Sequence, residues 1–508
     1  MAGYDVVEAS IGRLGADMAA GAVTAEALVT AYAQRVEALD WAGPALRSVI
    51  CLNPHALAEA RAMDAERRAG RVRGPLHGIP LLIKDNIETG DGTATTAGSL
   101  ALKDNVTGRD APVVRRLKDA GAVILGKANL SEWANFRSSH PTSGWSTLGG
   151  QAANPHALDR NPSGSSSGSA AAVAVGLAAA AVGTETDGSV VCPASACGIV
   201  GLKPTLGLVS RGGIVPVSAA QDTAGPMTGS VADAAALLSA MTGGDPDDPA
   251  TAEAAGQPGD YTAFLDPGAL AGARIGVWRE GSKAAGAATT AVLEAALARL
   301  AGAGADLVDP VDLPGADQIT EPEFAALLTE FKHDLNAYLS ALAGEHPATL
   351  AELIAYNVKH GERALARFGQ EVFEQAEATS GDLADPGYRS ARAEAAARAR
   401  GAVDGPLAAH RLDAIVTLTA SPAWLTDYHL GDHDVFHTSG PAAVAGYPAI
   451  SVPAGGAFAL PVGLSFIGPR WSEPRLIALA YAFEQAAAAR LVPALRATCP
   501  PPAPPGGR

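Results

Sequence analysis

Apolar and polar positions alternate in two rhythms along this chain, and the rhythm changes mark its elements. Residues 5 to 70 carry helical patterning, with helices predicted at Ala25–Leu39 and Leu57–Ala69. Short apolar runs follow and read as buried strands: Leu81–Ile83, then Val123–Leu125 ending in Gly126–Lys127–Ala128–Asn129. The Ala/Val-rich run Ala170–Val182 is apolar on all sides and predicts a buried helix. Gly198–Lys203 and Leu208–Val209 continue the core. A strand–helix–strand unit is predicted from Arg274–Val277, Thr290–Leu300 and Asp306–Asp309. From about Ile319 to His410 the pattern is helical, including Phe324–Leu342 and Leu350–Phe368. Strands return at Ala414–Thr417, Ala449–Val452 and Val462–Phe466, and a helix from Pro474 to Ala489 closes the pattern. The sum is one large α/β unit with an inserted helical segment.

Composition narrows the function. The chain has 508 residues, 48% of them apolar and 18% charged, which describes a globular protein with a large core. Its net charge of −16, with no basic stripe, argues against a nucleic-acid partner. The acidic start lacks a basic segment before an apolar core, and no run is long enough to span a bilayer, so a cytoplasmic location without membrane contact is expected. Cys51, Cys192, Cys197 and Cys499 are expected as free thiols. The Cys192/Cys197 spacing completes no metal motif. Residues 500–508, rich in proline, are expected to be disordered.

Chemistry concentrates in three places. Gly164–Ser165–Ser166–Ser167–Gly168–Ser169 sets hydroxyls on a glycine-bearing loop that leads without a spacer into the apolar run, which a flexible linker would not do. Gly183–Thr184–Glu185–Thr186–Asp187–Gly188–Ser189 forms a second such loop. Upstream, Lys84 ends the apolar run Ile79–Ile83. A serine needs a base to attack a carbonyl, and a lysine kept neutral by burial can supply one.

Together with Gly78–Asp85 and Gly198–Thr205, these motifs resemble the amidase signature family across nearly the whole chain. Within the family the chain is most similar to bacterial peptide amidases, on Trp133–Arg137, Ser143–Trp145, Thr184–Ser189 and Gln221–Asp222. The resemblance implies a large mixed β-sheet core flanked by helices. Residues 1–499 would form a single domain: N-terminal helices (1–70), catalytic core (71–310), helical insert (311–412), then returning strands and a closing helix (413–499). It also implies amide hydrolysis by a Ser–cis-Ser–Lys triad, with Ser189 as nucleophile, Ser165 as the bridging serine and Lys84 as base. Backbone N–H groups of Thr186, Asp187, Gly188 and Ser189 would form the oxyanion hole. The chain departs from the family at Ser163 and Ser167, where glycines usually stand. No cofactor or metal is implied. The expected substrate is a peptide amide or a related small carboxamide. The alternatives are aryl or aliphatic amides, the glutaminase-type subunit of a tRNA-dependent amidotransferase, and an inactive binding module.

Ser143, Trp145, Ser166 and Arg137 are candidate substrate contacts, although tryptophan and arginine here also suit a buried structural role. His429, His433 and His437 recur at i, i+4, i+8 with carboxylates between. On a helix they could share a face and hold zinc, but Gly431 and the surrounding turn residues predict a loop at the pocket mouth. That loop and the helical insert are expected to roof an elongated, largely apolar groove.

Overall fold

The computed structural model describes residues 4–500, so the proline-rich stretch from 501 onward lies outside it. Eleven strands form one sheet. In chain order they are β1 (Val49–Leu52), β2 (Pro80–Lys84), β3 (Val123–Ala128), β4 (Ala180–Glu185), β5 (Val200–Lys203) and β6 (Thr223–Thr228). The remainder are β7 (Arg274–Val277), β8 (Asp306–Val308), β9 (Ala414–Leu418), β10 (Ala449–Ala457) and β11 (Leu460–Ile467). Across the sheet they run β1-β3-β2-β4-β6-β5-β10-β11-β9-β7-β8. β2 is parallel to both β3 and β4, and β7 to both β8 and β9. The other pairings are antiparallel. The sheet is therefore mixed, and helices cover it.

Every residue of β2, β3, β4, β5, β6, β9 and β11 is buried. Strands covered on both faces lose the alternation that marks a half-exposed strand, which is why they read as short continuous apolar runs. The same property defeats the helix expected at Ala170–Val182. Only Ser167–Ala174 is helical. Gly176 then takes φ +67° and turns the chain, and Ala180–Val182 belong to β4. An unbroken apolar run carries no period that separates a buried helix from a buried strand.

The helical insert is present as Thr320–Ser340, Leu350–Lys359, Gly361–Ala364, Glu371–Glu377 and Pro386–His410. The single helix expected at Leu350–Phe368 breaks at His360. Phe331, Leu335, Leu339, Leu350, Leu353 and Phe373 pack with Ala97 and Trp133 in one buried cluster, which docks the insert onto the segment leading away from β3. Phe331 stacks on Phe373 at 5.2 Å between ring centroids. All four cysteines are free thiols. No helix among the described residues is long and apolar enough to cross a membrane.

Candidate active site

β2 and β4 lie side by side and parallel, with Ile83 opposite Val182, so their C-terminal ends open on the same edge of the sheet. Open α/β sheets hold ligands at such an edge. Lys84, the last residue of β2, is fully buried. Its Nζ lies 2.7 Å from Ser165 Oγ, 2.8 Å from Thr184 Oγ1 and 3.1 Å from the Thr184 carbonyl oxygen. Burial pushes its pKa from 10.5 down to about 7, against the opposing pull of the Asp222 and Glu185 carboxylates. A neutral amine has two N–H donors and one lone pair. The two Thr184 oxygens can take the donors, which leaves the lone pair for the Ser165 hydroxyl. Asn86 Nδ2 also donates to Thr184 Oγ1 at 2.9 Å, fixing that side chain.

Ser165 stands just before the helix Ser167–Ala174, and the peptide bond joining Gly164 to it is cis. Its carbonyl accepts from Ser131 N at 3.0 Å. A Cβ at Gly164 would meet Ser131 Oγ at 2.2 Å, so no larger residue fits there without displacing the loop. The next amide, Ser166 N, donates to the Ser189 carbonyl at 3.1 Å and ties the two glycine loops together. Ser166 Oγ donates to the Thr184 carbonyl at 3.0 Å and accepts from Thr184 N at 3.2 Å.

The loop from Thr186 to Ser189 is closed by its own neighbour. Glu185 Oε2 accepts from Val190 N at 2.8 Å and Val191 N at 3.1 Å, so the carboxylate before the loop holds the backbone just after it. Among the described residues, no backbone or side-chain acceptor takes the amides of Thr186, Asp187, Gly188 or Ser189. Those donors remain available. Gly188 has φ +78°, and a Cβ there would come within 2.8 Å of Ser439 Oγ and 2.9 Å of Cys192 Sγ, so glycine is required twice over. Ser189 is only 8% exposed. It lines, with Thr186, Asp187 and Gly188, a cleft of about 360 Å³ whose other walls include Phe136, Leu327, Trp424 and Leu430.

A family model, Amidase, matches residues 27–477 of this chain. The chain belongs to the amidase signature family. A native peptide amidase from Stenotrophomonas maltophilia superimposes with a TM-score of 0.92 at 52% identity, covering 96% of this chain and 99% of that one. A probable amidase from Arabidopsis thaliana is 41% identical over 93% of this chain and 88% of its own length. A glutamyl-tRNA(Gln) amidotransferase subunit from Moorella thermoacetica is 36% identical over 91% of this chain and 93% of its own length. The protein is a hydrolase acting on amides, built on the large mixed sheet of its family.

Within this family frame the four candidate substrate contacts separate. Ser143 lines the cleft, but its hydroxyl is engaged, donating to Asp432 Oδ2 at 2.6 Å. Ser166 is fully buried behind the cleft and bonded to β4. Arg137 and Trp145 are structural. Arg137 is 1% exposed, pairs with Glu132, donates to the Ala364 carbonyl at 2.7 Å, and lies over the Phe368 ring at 4.3 Å. Trp145 packs edge-on against Phe368 at 5.2 Å. These two tie the cleft wall to the insert instead of facing the cleft.

The histidine segment is a loop, with Gly431 at φ +81°, so the three rings do not share a helix face. His433 Nε2 sits 3.4 Å from Asp427 Oδ2, and only His437 of the three lines the cleft. The groove expected to be largely apolar instead bears the carboxylates of Asp187, Asp432 and Asp434. Reading the sequence missed Thr184 as the partner of Lys84, Glu185 as the clamp, and Trp424 and Leu327 as walls. Glu185 and Thr184 lay inside a motif already singled out. Nothing local marks Leu327, which the insert delivers from far along the chain.

Proposed function

We propose that this amidase removes the C-terminal amide of peptides as ammonia through an acyl-enzyme on Ser189. The observation that carries the mechanism is the 2.7 Å contact between a fully buried Lys84 Nζ and Ser165 Oγ, on a loop bonded to the backbone of Ser189. Neutral Lys84 takes the Ser165 proton while Ser165 takes that of Ser189, and Ser189 Oγ attacks the carbonyl carbon. The oxyanion accepts from the free amides of residues 186–189. Collapse breaks the C–N bond, and the proton returns from Lys84 through Ser165 to the departing nitrogen, which leaves as ammonia. Water, deprotonated by the same route, attacks the ester carbon and releases the acid, while Ser189 recovers its proton. Charge is conserved at each step, and the base ends neutral.

The peptide substrate is supported by the 52% identity and near-complete overlap with a peptide amidase, and by a cleft of about 360 Å³, roomier than the reacting carboxamide needs. Likeness to an amidotransferase subunit supports glutamine as the second reading. Ammonia release should be measured from a peptide amide, an aliphatic amide, an anilide and glutamine. Fastest release from the peptide amide is the expected result, and turnover of glutamine alone would overturn it.

A further inference from the structure

The cleft that serves Ser189 has an unbalanced charge. Its lining holds Asp187, Asp432 and Asp434 and, among the described residues, no lysine or arginine. Two of these carboxylates have structural positions. Asp432 accepts from Ser143 N at 2.9 Å, Ser143 Oγ at 2.6 Å, Trp424 Nε1 at 3.1 Å and Asn161 Nδ2 at 3.3 Å. Asp187 belongs to the loop before the nucleophile, and its Oδ1 is buried without a donor.

Asp434 differs from Asp432 in making no hydrogen bond or ion pair among the described residues. It differs from the half-buried Asp187 in having its side chain exposed to the cleft mouth, where a substrate side chain can reach it. The chain around it is nonetheless fixed. Asp432 N donates to the Pro141 carbonyl at 2.9 Å, Val435 N to Ser421 Oγ at 3.2 Å, and Ser421 N to the Phe436 carbonyl at 2.9 Å. The backbone that carries this carboxylate is thus held on the wall of a cleft that the substrate must enter, and among the described lining residues no lysine or arginine neutralises it.

We propose that Asp434 is a specificity residue that selects substrates bearing a positive charge, a protonated amine or a guanidinium, on the acyl side of the scissile amide. This rests on the peptide-amide reading above. A cationic side chain on the peptide would supply the partner that Asp434 lacks. An acidic side chain would meet Asp434 and Asp187 as like charges, and rejection by repulsion sharpens selection as much as attraction does. The leaving group is ammonia in every case, so the discriminating charge must lie on the part that becomes the acyl-enzyme.

The test uses three N-acetylated tripeptide amides that differ only at the central residue: lysine, norleucine or glutamate. kcat/KM is measured near pH 8, above the value of about 7 to which burial brings Lys84, so that the base is neutral throughout. The expected order is lysine, then norleucine, then glutamate. Each step should be about threefold to tenfold, the size of a partly screened ion pair, and should shrink in high salt. In Asp434→Asn the lysine-to-norleucine ratio should fall toward one, and in Asp434→Lys it should invert. Asp266→Asn, an exposed carboxylate away from the cleft, should keep the wild-type ratio. Equal kcat/KM for the three peptides, or a lysine preference undiminished in Asp434→Asn, would overturn the inference alone. No turnover of any of the three would overturn the peptide-amide reading and this inference with it.

Discussion

Burial at the end of β2 takes Lys84 Nζ out of water and moves its pKa to about 7, where a usable fraction is the free amine. Only the neutral form can accept a proton. kcat/KM should therefore rise about tenfold per pH unit below pH 7 and level off above it, since the proton lost through that pKa is the one that blocks catalysis. A profile flat from pH 5 to 9 would assign the base to another group. Ser189→Ala removes one oxygen from a loop whose backbone is held by Glu185 and Ser166. It should abolish turnover with Tm shifted by no more than a few degrees. Lys84→Ala should lower kcat by several orders of magnitude, because among the described residues no other amine is bonded to Ser165. Wild-type rates in either variant would remove these residues from the mechanism.

At the scale of elements, the site is two loops leaving the sheet, and each is shaped by a short closure. Glu185 closes the second loop onto the amides of Val190 and Val191. Glu185→Ala would leave those buried donors unsatisfied and free the loop whose open amides are proposed to bind the oxyanion. kcat should fall by about 10- to 100-fold with KM changed little, and Glu185→Gln, which keeps an acceptor oxygen, should recover part of the loss. A change in KM alone would argue that Glu185 serves binding. The loops were legible in the sequence because their glycines and hydroxyls are contiguous. The elements joining them were less so. Ala170–Val182 divides between a helix and β4, since burial on both faces erases the period. β1 and β6 escaped notice for a related reason. β1 is short and partly exposed, while β6 mixes threonine, glycine and proline through a fully buried strand. Arg137 and Trp145 sit in a motif beside the site, but their partners Glu132, Ala364 and Phe368 include residues of the insert that only folding brings near.

The whole molecule sets the cleft between the open edge of the sheet, the docked insert and the loop that follows β9. Leu327 reaches the cleft from the insert, and Leu430, Asp434 and His437 reach it from the loop. Under the proposed peptide-amide reading, a peptide lying along these walls would gain binding remote from the reacting carbon, and that binding could be used for positioning. Shortening a peptide amide one residue at a time should lower kcat/KM stepwise, with acetamide lowest. Equal values for acetamide and a tripeptide amide would mean the walls contribute nothing. The insert's attachment is testable as stability. Phe331 is fully buried against Phe373, so Phe331→Ala should cost about 3–5 kcal/mol and lower Tm measurably in a calorimetric scan. An unchanged Tm would place the docking contact elsewhere. None of these long-range meetings is written in any one stretch of sequence, although the residues that make the bonds are.

The central claim is that Ser189 is the nucleophile and that Lys84 activates it through Ser165. Peptide mapping by mass spectrometry after reaction with a fluorophosphonate probe tests it most directly. The account predicts a single adduct on Ser189, formed at a rate that rises with pH through about 7 and is lost in Lys84→Ala. An adduct on Ser165 or another residue, or labelling of Ser189 at an undiminished rate without Lys84, would contradict it.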